Sequence, residues 1–138
     1  MPSGPAIADS AALTWCFEDE RTPVTATLLE RVGETGAFAP NLWPLEALNG
    51  LLVAERRGRL DSARRHRLLR FLQMLPITLD DDTTAQIWTA TASFAERFGL
   101  SAYDATYLEL AYRLGLPLAS LDRKLRAAAN KLGVTLLI

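Results

Sequence analysis

The chain has 138 residues, of which 49% are hydrophobic and 22% charged, and one is cysteine. This length suits a single domain over residues 1–138, and the composition excludes disordered, collagen-like and disulfide-stapled proteins. Fifteen Lys and Arg face sixteen Asp and Glu, so any nucleic-acid contact has to come from a local basic patch. Because the sequence has no basic leader and no apolar run of membrane-span length, we expect a cytoplasmic protein with no membrane partner.

Short apolar runs alternate with longer segments of helical period along the chain. This order predicts an α/β fold in which helices cover a mostly parallel sheet. Strands are predicted at 5–9, 37–40, 77–79 and 117–121, with an edge strand at 134–138. Helices are predicted at about 22–33, 44–57, 61–75, 80–99, 101–115 and 122–133.

The helix predicted at 44–57 carries two polar residues in an otherwise apolar stretch. The leucines that predict its buried face recur at i, i+3 and i+7, namely Leu45, Leu48 and Leu52. Glu46 and Asn49 interrupt this stretch. A buried polar side chain without a partner is costly, so both are candidates for a functional role.

Four acidic residues are predicted where strands end or helices begin, and in open α/β sheets these positions meet at one edge. They are Asp9, Glu46, Asp104 and Asp122. Clustered carboxylates repel one another unless a cation joins them, and Mg²⁺ and Mn²⁺ are hard cations that take oxygen ligands. Structural explanations stay open as well: Asp104 fits a capping box after Ser101, Asp122 fits an N-cap, and Glu46 suits a helix dipole.

The most specific pattern is formed by four blocks of sequence taken together. The blocks are 10–20, 39–43 with Glu46 and Asn49, 100–107, and 118–125. In their order and spacing, and over nearly its full length, the chain resembles PIN-domain ribonucleases, most closely the VapC toxins of bacterial type II toxin–antitoxin pairs. The resemblance implies a three-layer α/β/α sandwich with a mostly parallel central sheet. It also implies hydrolysis of RNA phosphodiesters that depends on Mg²⁺ or Mn²⁺.

The resemblance also implies roles for individual residues. Three acidic positions of the family fall on Glu46, Asp104 and Asp122, which would bind the metal. Ser10 and Asn49 would support them through hydrogen bonds.

The fourth acidic position of the family falls on Ala8, two residues before Ser10. We hypothesise that the natural residue at position 8 is Asp, and that the Ala inactivates the enzyme by removing a catalytic metal ligand. Asp9 stands at a variable position of the pattern. Strand side chains alternate between faces, so Asp9 could serve only after a register shift or a local bend, which is the alternative hypothesis.

Basic residues are concentrated in two places. Arg123, Lys124 and Arg126 follow Asp122 and are predicted to bind the RNA substrate. Seven arginines lie between positions 56 and 70, where they form either a phosphate-binding patch or a solvated helix face.

The resemblance further implies a homodimer and a cognate antitoxin that blocks the acidic site, with operator DNA bound only through the antitoxin. The alternative is a non-catalytic PIN-fold module that binds antitoxin or RNA. A single Cys16 and a single His66 do not form a conventional zinc site, and no carboxylate motif accompanies His66 to activate a nucleophile. A phosphatase-like domain would need a second Asp two residues after its nucleophile, and the first strand does not end in such a pair.

Overall fold

The computed structural model, which describes residues 4–138, has a four-stranded sheet at its centre. The strands follow one another across the sheet in the order β3, β2, β1, β4, and every neighbouring pair is parallel. Parallel strands need long crossover connections, which the helices supply here. The predicted α/β class is therefore confirmed. The strands are β1 (Ala6–Ile7), β2 (Ala37–Pro40), β3 (Ile77–Asp80) and β4 (Leu118–Ala119).

Helices occupy most of the remaining chain, and within residues 4–138 none is long and apolar enough to cross a membrane. They are α1 (Asp9–Leu13), α2 (Pro23–Thr35), α3 (Trp43–Arg56), α4 (Ser62–Met74), α5 (Thr83–Gln86), α6 (Ala92–Phe98), α7 (Ala102–Leu114) and α8 (Arg123–Leu132).

The core lies on the central strands. Both residues of β1 are fully buried, and so is every residue of β4. Consecutive side chains of a strand point to opposite faces, so burial of both means that the sheet is covered on both sides. Helix α7 packs against β1, β2 and β4 and contributes a continuous buried stretch from Ala105 to Ala111. The molecule is thus the predicted three-layer sandwich.

The first and last predicted strands are shorter than expected. Strand β1 ends at Ile7, so that Asp9 begins helix α1 and does not lie on the strand. The predicted edge strand at 134–138 is reduced to a single bridge between Leu118 and Leu136. The helix predicted from 80 to 99 is present, but a π-helical segment, Ile87–Thr91, separates α5 from α6.

The predicted buried face of α3 is only partly correct, because Leu48 and Leu52 are half-buried whereas Leu45 is exposed. Leu45 is 69% exposed, and the buried side chains lie on another face of the helix. The stretch is apolar on almost every side, so its period does not fix which face turns inward. The buried side chains of this helix are Trp43, Ala47, Leu51 and Ala54.

A partly buried ion network ties the edge strand β3 to helix α7. Arg113 donates from Nη2 to Asp80 Oδ2 at 2.6 Å and from Nε to Glu109 Oε2 at 2.8 Å. The Asp80 and Glu109 side chains are 9% and 4% exposed. The two carboxylates raise the pKa of the guanidinium, and its hydrogen bonds lower the pKa of Asp80 despite burial.

Candidate functional site: an acidic cavity at the strand ends

Asp9 follows the end of the central strand β1, where the chain turns into helix α1. Burial raises the pKa of its carboxyl, and the negative charges of Asp104 and Asp122 raise it further. Its side chain therefore lies within electrostatic reach of both. The turn from strand to helix is a local bend of the kind that the alternative hypothesis for Asp9 requires, because the alternation of strand side chains ends before residue 9.

Ala8 occupies the N-cap of α1 and is buried, with 2% of its surface exposed. Its N–H donates to the Ala119 carbonyl at 3.0 Å, and its carbonyl accepts from the N–H groups of Ala11 and Ala12. No side-chain hydrogen bond caps this helix at Ala8, since a methyl group cannot accept one. An Asp here would stand directly before Asp9, at the same end of the sheet.

Glu46 extends from the first turn of α3 and is half-buried. The Tyr107 hydroxyl donates to its Oε1 at 2.9 Å. Burial raises the pKa of Glu46 to about 7, the charges of Asp9 and Asp104 add to the increase, and the Tyr107 hydrogen bond works against it. Glu46 and Asp9, which are 37 residues apart in sequence, therefore belong to one acidic cluster.

The sequence does not mark Tyr107 as a site residue, because it fits the apolar stripe of a helix. It is fully buried, and burial and then the Glu46 charge raise the pKa of its hydroxyl. One signal was available: Tyr107 lies three residues after Asp104, on the same side of α7, and a buried tyrosine hydroxyl needs a hydrogen-bond partner.

Asp104 and Asp122 stand at the beginnings of two helices. The Asp104 N–H donates to Ser101 Oγ at 3.1 Å, so the predicted cap at Ser101 is present. Burial and the charge of Asp122 raise the pKa of Asp104. Asp122 caps α8 by accepting from the Leu125 N–H at 2.9 Å through Oδ2. The structural role of Asp122 thus uses one carboxylate oxygen and leaves Oδ1 outside the cap.

A cavity of about 500 Å³ opens over part of this cluster. Asn49, on the exposed side of α3, lies in its wall, whereas Ser10 has a buried Oγ with no hydrogen-bond partner among residues 4–138. Gly50 faces α1, and a Cβ there would lie 2.5 Å from Leu13 Cδ1, so the Leu13 side chain would have to shift to accept a larger residue. The residues that line the cavity are Asp9, Leu45, Glu46, Asn49, Gly50 and Tyr103.

The side chains fit a hard divalent cation in their chemistry. The donors are carboxylate oxygens that raise one another's pKa, which a bound cation would relieve. Their spacing is wider than a closed site needs. Among residues 4–138, no three His, Cys, Asp or Glu side chains are grouped closely enough to hold a metal ion.

The basic residues differ in how far they are free to bind a substrate. Arg123 and Lys124 are exposed at the start of α8, whereas Arg126 is half-buried and donates to the Ser120 carbonyl at 3.0 Å. Of the seven arginines between 56 and 70, three already contact other parts of the protein. Arg59 pairs with Asp19 and Glu20, Arg64 donates to the Cys16 carbonyl, and Arg65 pairs with Glu55.

A comparison with protein families matches this chain to the PIN domain over residues 6–131. The chain therefore belongs to the PIN domain family. PIN domains are generally metal-dependent nucleases, and the matched range includes all four acidic residues of the cluster. A search of curated proteins found no match to this PIN domain.

The raised pKa of Glu46 has a consequence for stability. The carboxyl has a pKa of 4.5 in an ordinary setting and about 7 in the folded PIN domain, so between these values the folded state binds more protons than the unfolded state. Stability is therefore lost as pH rises through this window. We expect Glu46→Gln, which keeps an acceptor for Tyr107, to increase the free energy of unfolding at pH 8 by roughly 1 kcal/mol, a value discounted for partial exposure.

Urea unfolding of the metal-free protein at pH 5 and pH 8 measures this effect. Glu34→Gln changes an exposed carboxylate on α2 and serves as the control, for which we expect the same stability as the parent at both pH values. A Glu46→Gln protein that is no more stable than the parent at pH 8 would show that the carboxylate is not repelled in the folded state.

Proposed function

We propose that this PIN domain is an endoribonuclease of the VapC toxin type that uses Mg²⁺ or Mn²⁺, and that Ala8 reduces its activity. The observation that carries the proposal is the convergence of carboxylates from separate segments. Asp9, Glu46 and Asp104 all have raised pKa values, and charges within the cluster contribute to each increase. This convergence occurs in a chain that matches the PIN domain from residue 6 to 131.

Glu46, Asp104 and Asp122 are the residues that would hold the metal, and Asp9 is the nearest substitute for the carboxylate missing at Ala8. When bound, the metal would supply charge that polarises the scissile phosphate and lowers the pKa of a water. Tyr107 fixes the orientation of the Glu46 carboxylate through its hydrogen bond. The chemistry is hydrolysis of a phosphodiester without a covalent intermediate on the protein.

The proposed partners follow from the charge of the site and from the VapC resemblance. A cognate antitoxin would inhibit by inserting an arginine among the carboxylates, because a guanidinium replaces the charge of the metal and binds carboxylates bidentately. We also propose a homodimer, and contact with operator DNA only through the antitoxin. Alanine substitution of the inserted arginine should relieve inhibition in a reconstituted pair.

A second function, a non-catalytic module that binds RNA or antitoxin, is favoured by two observations. Position 8 carries a buried methyl group where the family has a carboxylate. In addition, no three candidate ligands among residues 4–138 are close enough together to hold a metal ion. On this view the acidic cavity is a binding surface and performs no chemistry.

Restoring the carboxylate at position 8 distinguishes the two functions. We expect Ala8→Asp to cleave single-stranded RNA when Mg²⁺ or Mn²⁺ is added, to lose cleavage with a chelator, and to bind Mn²⁺ more tightly than the parent in calorimetric titration. Ala8→Asn, which has the same shape without the charge, is the matched control and should cleave RNA no faster than the parent. An Ala8→Asp protein that neither binds metal nor cleaves RNA would contradict the proposed nuclease activity and support the second function.

RNA cleavage by the parent chain tests whether Asp9 replaces the carboxylate missing at position 8. If Asp9 replaces the missing carboxylate, the parent has residual cleavage that Asp9→Asn removes. Equal activities of the parent and Asp9→Asn would show that Asp9 takes no part.

A further inference from the structure

Two large apolar side chains are exposed in the acidic cavity. Leu45 is 69% exposed in the first turn of α3, and Tyr103 is 63% exposed in the first turn of α7. Both line the same cavity as Asp9 and Glu46. Single exposed apolar side chains are common on protein surfaces, but two of them in one cavity beside a few polar groups match the composition of a ligand site.

The charges around the cavity limit what the apolar pair can bind. Asp9 and Glu46 repel a phosphate that approaches without a cation, but they do not repel an uncharged base. Arg123 and Lys124 are exposed at the start of the helix that Asp122 caps, and their positive charge would attract the backbone of an RNA that extends from the cavity to Asp122. Asn49 adds an amide with both donors and an acceptor, which suits the edge of a base.

We propose that Tyr103 stacks on an unpaired nucleobase of the RNA substrate and so positions the strand beside the acidic cluster. Leu45 would supply a second apolar contact within the cavity. A base in a duplex has both faces covered by its neighbours, so only an unpaired base offers a face to Tyr103. This inference rests on the proposed function and makes Tyr103 a residue that positions the substrate.

Binding of a short fluorescein-labelled RNA to the full chain, followed by fluorescence anisotropy in Mg²⁺, tests the role of Tyr103. Stacking on an aromatic side chain contributes enough that we expect Tyr103→Ala to weaken binding of single-stranded RNA about 5- to 100-fold. Tyr103→Phe keeps the ring and should bind like the parent. Tyr112→Ala is the matched control, because Tyr112 lies on the same helix, is 55% exposed, and does not line the cavity.

A second readout reports stacking itself. An RNA that carries the fluorescent base 2-aminopurine should lose fluorescence when it binds the parent or Tyr103→Phe, and should lose less with Tyr103→Ala. A duplex of the same sequence should bind the parent and Tyr103→Ala equally. Since Tyr103 is largely exposed, its substitution should leave the thermal unfolding temperature unchanged, which confirms that the variant is folded.

Several results would overturn the inference. One is that Tyr103→Ala binds single-stranded RNA as tightly as the parent. Another is that the substitution weakens the binding of single-stranded RNA and of duplex equally. Unchanged RNA binding together with loss of inhibition by a protein partner would assign Tyr103 to a protein interface instead. Cleavage by Ala8→Asp tests the proposed nuclease separately. If Ala8→Asp cleaves RNA but Tyr103→Ala binds RNA like the parent, only this inference is contradicted. If RNA binding depends on Tyr103 but Ala8→Asp does not cleave, the proposed nuclease is contradicted and the contact between Tyr103 and a base is supported.

Discussion

In the Ala8→Asp variant, changing Asp104 to Asn should lower the rate of RNA cleavage at least about 100-fold, because even outer partners of metal ligands contribute up to about this factor. Asn has the size of Asp but no negative charge. The helix cap is preserved, since it uses the Ser101 hydroxyl and the backbone N–H of residue 104. The substitution therefore removes charge from the cluster and leaves the beginning of α7 intact. Initial rates on a labelled single-stranded RNA at saturating Mg²⁺ measure the effect.

The control for Asp104→Asn is Glu96→Gln in the same Ala8→Asp background. Glu96 is an exposed carboxylate on α6 and does not line the acidic cavity. We expect this control to cleave RNA at the unchanged rate. Should Asp104→Asn retain the rate of its parent, the carboxylate would be confined to a structural role at the helix start.

The convergence of the acids follows from the parallel sheet. Ile7 of β1 is paired with Ala119 of β4, so Asp9 and Asp122 follow neighbouring strands at the same end of the sheet. Helix α3 follows β2, the other neighbour of β1, and carries Glu46 in its first turn. Carboxyl ends of parallel strands meet at one edge, and the helices that follow begin there. The parallel strand order, with β1 between β2 and β4, thus brings these acids near one another.

The order of strands and helices could be predicted because turn residues and helix caps punctuate the chain. Thr22, Asp61, Ser101 and Asp122 all cap helices where the sequence indicates a start. Glu46 also could be found, because an acid within an apolar helix is unusual.

Three features of the site could not be predicted from the pattern. The direction of the Asp9 side chain depends on where β1 ends. A strand of two residues has no alternation from which its last residue could be predicted. The exposure of Leu45 depends on the rotation of α3, which an almost wholly apolar stretch does not determine. The hydrogen bond from Tyr107 to Glu46 joins residues that are 61 positions apart in sequence, and it forms only when α7 packs near α3.

Replacing Arg113 by Met should destabilise the protein by about 2 to 3 kcal/mol, which is less than the loss of one partner from a fully buried ion pair, because the Arg113 side chain is 23% exposed. Arg113 is the cation between Asp80 and Glu109, whose side chains are 9% and 4% exposed. Met keeps much of the apolar stem and isolates the loss of charge. Two carboxylates with little exposed surface would then remain side by side without a cation, where they repel each other and are incompletely hydrated. Urea unfolding at pH 7 measures the change.

Arg59→Met is the matched control, because Arg59 also bridges two carboxylates, those of Asp19 and Glu20, but in an exposed setting. Exposed pairs contribute little, so we expect this control to cost about 1 kcal/mol or less. If burial is the reason for the difference, adding Asp80→Asn and Glu109→Gln to Arg113→Met should recover part of the lost stability, because both carboxylates become neutral. Equal costs for Arg113→Met and Arg59→Met would mean that the link between β3 and α7 depends on apolar packing and not on this ion network.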